Sequence, residues 1–298
     1  MKGKLIALTA SVMLAAATFG GCAKAADKKA ENLHEGQNNE IYEELPAEEQ
    51  LPEIPEIGEI PEIPEEEERP EIPAVAVPEP QPEPPKAKTV SYILVNADGV
   101  NIRSGAGTGY SSLGTAEKST LYALLGEENG WYKTNYKNKN AYISKKYCTV
   151  TEMQKSDDEK IEAVISEGTK LLGTPYVYGA TRLHDGKGNL YKSFTVNAFD
   201  CSSLMQYMFY KGADKLLDVN TRTQIYQGTT VAKSKLQRGD LIFFTNASRK
   251  NNKGIERVGH VAMYLGDNYI LHTASDYAKI EQISTTRWSY YIQTQRMI

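Results

Sequence analysis

Cysteine is nearly absent from this 298-residue chain, with three residues at positions 22, 148 and 201. That is too few for a fold held together by disulfides. Histidine is almost as sparse, at 34, 184, 260 and 272. Proline is confined: twelve of the 13 lie between Pro46 and Pro85, and the last is Pro175. Beyond the N-terminus there is no apolar run long enough to span a bilayer. The formal net charge is only −4, yet the charges are segregated. From Ala23 to Lys88 there are 19 acidic against 6 basic residues; from Thr89 to Ile298 there are 19 against 26. The chain is therefore an acidic, proline-rich segment followed by a basic body large enough for one or two cores. No cofactor, metal or nucleic-acid partner is expected, and a monomer is assumed.

At the N-terminus, Lys2 and Lys4 precede an apolar stretch from Leu5 to about Phe19, the pattern of an export signal over residues 1–21. It ends in Phe19-Gly20-Gly21-Cys22, which resembles the lipobox of bacterial lipoproteins. The resemblance implies lipidation of Cys22 and a protein held on the outer face of the membrane. Phe19 stands where the lipobox usually has leucine. Ala23-Lys24-Ala25 also fits an ordinary cleavage site, which would release the protein. Residues 22–88 are predicted to be a disordered linker, because charge is high and the apolar residues are spaced by proline. Proline restricts its predecessor, so a Pro-Glu-Ile repeat favours extended polyproline II. At about 3.1 Å per residue, the stretch from Pro46 to Pro85 reaches on the order of 120 Å. It reads as a spacer.

Residues 89–152 show about five short strands with turn punctuation, which predicts a small all-β barrel. Tyr92-Ile-Leu-Val95, Val100-Asn-Ile-Arg103, Leu121-Tyr-Ala-Leu-Leu125, Trp131-Tyr-Lys-Thr134 and Ala141-Tyr-Ile143 are the strands, with Asn138-Lys-Asn140 as a turn. Gly105, Gly107 and Gly109 are not followed by a helix, so a phosphate loop is excluded. Trp131 and Tyr132 are expected in the core.

Residues 153–298 carry the chemistry. Ser156-Asp-Asp-Glu159 reads as a capping box before a helical apolar pattern that ends at Gly173. Cys201 precedes Leu204, Met205, Met208 and Phe209, one face of a second helix. Free N–H groups at a helix start favour a thiolate, and a lowered thiol pKa suits a nucleophile. Gly259-His-Val-Ala-Met-Tyr-Leu265 and Tyr269-Ile-Leu-His-Thr-Ala274 alternate as strands around a turn, which predicts a hairpin. Two registers put His260 and His272 on one face; a one-residue slip separates them. A cysteine, a histidine base and a polar orienting group make an acyl-transfer triad, here Cys201, His260 and His272. Oxyanion donors would be N–H groups near Cys201, with Tyr176. His184 and Asp185 are expected in a solvated loop, Asp240 in a structural turn, and Cys148 as a buried free thiol.

Two resemblances follow. Val100-Asn-Ile-Arg-Ser-Gly-Ala-Gly-Thr-Gly-Tyr110, Asn129-Gly-Trp-Tyr-Lys133 and Ala141-Tyr-Ile-Ser144 resemble the bacterial SH3-like domain of cell-wall proteins. Gly173-Thr-Pro-Tyr-Val-Tyr-Gly179, Phe199-Asp-Cys-Ser-Ser-Leu204, Leu236-Gln-Arg-Gly-Asp-Leu-Ile-Phe-Phe244, Gly259-His-Val-Ala-Met-Tyr-Leu-Gly266 and Ile270-Leu-His272 resemble the NlpC family of cell-wall cysteine peptidases. The second resemblance implies an α+β papain-like fold and hydrolysis of peptidoglycan stem peptides, typically between γ-D-glutamyl and a diamino acid. It also implies substrate contacts at Tyr176, Asp200 and Ser202. An N-acetylmuramoyl-L-alanine amidase and a non-catalytic wall-binding protein are the alternatives. Three departures bear on substrate preference: Ser203 replaces a usual glycine, Ala180 another, and Thr181 to Ala198 is longer than usual.

Overall fold

The computed structural model describes residues 88–180 and 182–298. The export signal over 1–21, the lipidation candidate Cys22 and the linker up to residue 87 lie outside the described residues.

The first part has eight strands, more than the five expected. They are β1 (Thr89–Val95), β2 (Val100–Arg103), β3 (Ser112–Ala116), β4 (Leu121–Ala123), β5 (Gly126–Glu128), β6 (Trp131–Tyr136), β7 (Lys139–Ser144) and β8 (Cys148–Gln154). They form two antiparallel sheets, ordered β4-β1-β8 and β3-β2-β7-β6-β5. Period-two alternation turns Ile93, Val95, Ile102, Leu121, Ala141 and Ile143 inward. The β6–β7 turn is Lys137-Asn138, one residue earlier than expected. Both residues have positive φ, 50° and 57°, the two-residue turn whose twist matches its strands. β8 pairs with β1 along its whole length and ends at Gln154, two residues beyond 152. Trp131 and Tyr132 are half-buried rather than fully inside the core. Cys148 is a buried free thiol.

The second part comprises α1 (Glu159–Lys170), α2 (Cys201–Ala213), α3 (Thr221–Gln224), β9 (Thr229–Val231), β10 (Leu241–Phe244), β11 (His260–Gly266), β12 (Tyr269–Ala274), β13 (Tyr277–Gln282), α4 (Thr285–Ser289) and β14 (Tyr291–Arg296). Its antiparallel sheet runs β13-β12-β11-β10-β14-β9. Leu241, Phe243, Val261, Met263 and Leu271 share a core with Val164, Ile165, Leu204 and Met208 of α1 and α2. The alternate residues Ile242, Phe244, Ala262 and Ile270 form a second cluster with Ile283, against which Trp288 packs. The small all-β barrel is thus followed by an α+β unit, as the resemblance implies.

The cap of α1 differs from expectation. Asp158 is the N-cap, its carboxylate accepting from the Lys160 N–H. The Ser156 hydroxyl accepts from the Asp158 N–H instead, and so orders the approach to the helix. The helix closes at Lys170, and Gly173 turns the chain at φ 82°.

Candidate active site

Cys201 opens α2, and the residue that caps the helix is its neighbour Asp200. Asp200 Oδ1 accepts from the Ser203 N–H at 2.8 Å, while Ser203 Oγ accepts from the Asp200 N–H at 2.9 Å. Glycine in place of Ser203 would lose half of this reciprocal box. Cys201 is 7% exposed. It shares a buried cluster with Val261, the residue after His260. α2 therefore packs against β11, the strand that His260 opens.

The hairpin register explains the second half of the site. Met263 pairs with Leu271 and Tyr264 with Ile270, before a bulge that brings Gly266 opposite Tyr269. Continued, this register sets Ala262 opposite His272, and His260 one diagonal step away on the same face. The rings meet edge to face at 80°, with His260 Nε2 3.1 Å from His272 Nδ1. On the next strand, Glu281 is opposite Ile270 and thus diagonal to His272. Its Oε1 lies 2.9 Å from His272 Nε2 and 3.2 Å from Arg287 Nη2.

These contacts fix where the protons sit. Burial opposes ionisation of Glu281, but the His272 bond, Arg287 and Lys279 hold its carboxyl at about 2. An ionised carboxylate only accepts, so His272 Nε2 carries a proton. Burial pushes the His272 imidazole below its usual range despite Glu281, leaving the ring neutral and Nδ1 an acceptor. His260 is pushed well down by burial, by His272 and by Arg287. Neutral His260 then donates from Nε2 and keeps a bare lone pair on Nδ1, as a base requires.

The thiol departs from expectation. Burial pushes it up to about 12, and the Asp200 charge adds to this; together they outweigh the backbone N–H groups of Val261 and Ser202, which favour the anion. The resting pair is a thiol and a neutral imidazole.

Two grooves flank the pair. One is lined by Cys201, Asp200, Ser202 and Arg182, the other by His260, Asn246, Ser284 and Arg287; Tyr176 and Gly259 line both. Tyr176 is held by its N–H on the Asp276 carbonyl at 2.8 Å. Burial and the nearby Cys201 and Asp200 push its hydroxyl up to about 12, so it remains a donor. Ser202 is 3% exposed and donates to Asp200 Oδ1.

His184 is not solvated, contrary to the sequence reading. It is buried, with Nε2 2.8 Å from the Leu217 carbonyl and Nδ1 accepting from the Gly186 N–H. Those bonds pin the extra loop to the body, while Asp185 is exposed. Asp240 is structural, gripped by the Arg296 guanidinium at 2.8 and 2.9 Å. Sequence reasoning missed Glu281 and Arg182. A strand reading of Tyr277–Gln282 as the third member of the meander would have found the first; nothing local marks the second.

Residues 173–297 match the NlpC/P60 family and residues 98–149 match the bacterial SH3 domain. The peptidoglycan endopeptidase RipA of Mycolicibacterium smegmatis is 31% identical over 137 residues, 45% of this chain and 25% of that protein. The gamma-D-glutamyl-L-lysine dipeptidyl-peptidase of Bacillus cereus is 32% identical over 120 residues, 40% of this chain and 30% of that protein. The chain thus spans less than a third of the length of these two relatives. The crystal structure of an NlpC/P60 family protein from Bacillus cereus superposes with a TM-score of 0.37 at 25% identity, covering 70% of this chain and 63% of that one.

Proposed function

We propose that this protein, in which an NlpC/P60 domain follows a bacterial SH3 domain, is a cysteine peptidase that cuts peptidoglycan stem peptides between γ-D-glutamyl and the diamino acid. The observation that carries the reading is the chain Glu281–His272–His260, which ends on the strand packed against the helix that Cys201 opens.

His260 Nδ1 takes the thiol proton as the sulfur attacks the scissile carbonyl. The N–H groups near Cys201 and the Tyr176 hydroxyl steady the oxyanion. His260 then gives its proton to the departing amine, leaving a thioester on Cys201. Water, deprotonated by His260, attacks the thioester; the acid product leaves and the thiol is restored. His272 and Glu281 stabilise the imidazolium that forms in each half-reaction.

Export, lipidation at Cys22 and the 22–88 spacer would hold the enzyme on the outer face of the membrane with its basic body reaching into the anionic wall. Peptidoglycan stem peptides are the proposed partner. The two relatives named above differ in kind, since a dipeptidyl-peptidase works from a free amino end and an endopeptidase does not. Purified muropeptides digested with the protein and with Cys201→Ala, and products identified by mass, test the reading. Cleavage after γ-D-glutamyl by the wild type alone is expected. Release of the intact stem from the sugar would make it an amidase, and no product from either protein would make it a binder.

A further inference from the structure

We propose that Arg182 tunes the cleft for stem peptides whose amino end is acylated, and against those with a free amino end, by occupying the carboxylate a terminal ammonium would need. This rests on the peptidase reading above and names its substrate class.

The two grooves have assigned directions. The acyl half of the substrate stays bound to Cys201, so everything on its amino side occupies the Cys201 groove. The departing amine takes its proton from His260 and leaves through the other. A free amino terminus would therefore seek its counter-charge in the Cys201 groove. Two carboxylates line that groove, Asp185 and Asp200.

Asp200, the one beside Cys201, already has a cationic partner. Arg182 grips Asp200 with both ends of its fork, Nη1 to Oδ1 at 2.8 Å and Nη2 to Oδ2 at 2.6 Å. Oδ1 also accepts from the Ser202 hydroxyl at 2.9 Å and the Ser203 N–H at 2.8 Å. Three of these four bonds fall on Oδ1, the fourth puts the guanidinium on Oδ2, and the side chain is only 5% exposed. Asp185 has no cationic partner among the described residues, but it sits exposed on its own loop, accepting from the Lys187 N–H and from both nitrogens of Asn189. The remaining charged lining is cationic, Arg222 and Arg249, both directed to Glu256. An ammonium beside Asp200 meets guanidinium groups and a carboxylate whose charge Arg182 already offsets. A neutral amide meets no such penalty, and the exposed rim rings of Tyr178 and Tyr191 offer flat surface to a bulky acyl substituent such as a sugar.

This also gives the extra loop a task. Thr181 to Ala198 carries Arg182 near its start, and the buried Leu183 and His184 anchor it immediately afterwards.

The test uses two synthetic stem peptides of one sequence, L-Ala-γ-D-Glu followed by a diamino acid, one with a free and one with an acetylated alanine. The wild type should show kcat/KM at least tenfold higher on the acetylated peptide. Its rate on the free peptide should rise as the amine loses its proton near pH 8, a rise the acetylated peptide lacks. Arg182→Gln frees Asp200, so free-amine cleavage should rise and the ratio fall, while Arg182→Lys should retain the preference. Equal or better wild-type cleavage of the free peptide, or an unchanged ratio in Arg182→Gln, overturns the role of Arg182. If the wild type cleaves neither peptide, the peptidase reading itself falls, and the role of Arg182 with it.

Discussion

In the proposed mechanism the buried Cys201 sulfur, its pKa raised, is a poor nucleophile until its proton leaves, so the rate depends on how readily His260 accepts that proton. His260→Ala should lower kcat/KM by about 10²–10⁴ while the fold stays intact by circular dichroism. Because His260 must be neutral to act, and its pKa is pushed down by burial, His272 and Arg287, activity should be lost only as pH falls below the ordinary imidazole range. No alkaline loss is expected until far above neutrality, since burial pushes the thiol up to about 12. A thiolate–imidazolium enzyme would instead lose activity as pH rises through the imidazolium pKa, and a pH–rate profile distinguishes the two. Glu281 acts through His272. Glu281→Gln removes the charge that fixes the tautomers, and should cut kcat roughly 10-fold, well inside the general-base limit. It should also lower the pH at which the His272 ring takes up a proton, read by NMR titration, because Glu281 raises the His272 pKa. A loss of stability with both unchanged would leave Glu281 a structural residue only.

At the scale of elements, the site depends on a hairpin register. A single slip between β11 and β12 would turn His272 to the face opposite His260. Alternation in the two strands made the pair legible beforehand, since a period of two leaves few registers. Glu281 was not legible in that way, because its position requires a third strand whose pairing is set by long-range packing. The thiol state was misread for a related reason: a helix start favours the anion locally, but burial and Asp200 prevail in the fold. The α1 cap was misread because Ser156 and Asp158 both offer cap oxygens, and only the backbone path selects Asp158. Asp158→Ala should therefore cost about 1 kcal/mol and Ser156→Ala less, as denaturant melts will show. Equal costs would contradict the assignment.

On the scale of the whole molecule, the barrel and the α+β part share one buried core. Arg238 joins them. Its side chain is 6% exposed, and it donates to both Glu162 oxygens at 2.6 and 3.0 Å, to the Tyr92 hydroxyl at 2.8 Å and to the Leu265 carbonyl at 2.8 Å. Gly173 is pressed so closely on the Tyr136 ring that an added Cβ would fall 2.1 Å from it. Residues 88–298 should therefore melt in one transition. Glu162→Gln leaves Arg238 buried without its counter-charge and should destabilise that transition by about 3 kcal/mol; two separate transitions in calorimetry would refute the shared core.

The central claim is that the Cys201 sulfur carries the acyl group. Acid quenching a reaction with a cleavable muropeptide in its first turnover, then mapping the protein by mass, tests it directly. The account predicts a thioester on Cys201 with the mass of the amino-side fragment, and none on Cys148. Turnover with Cys201 unmodified throughout, or undiminished in Cys201→Ala, would contradict it.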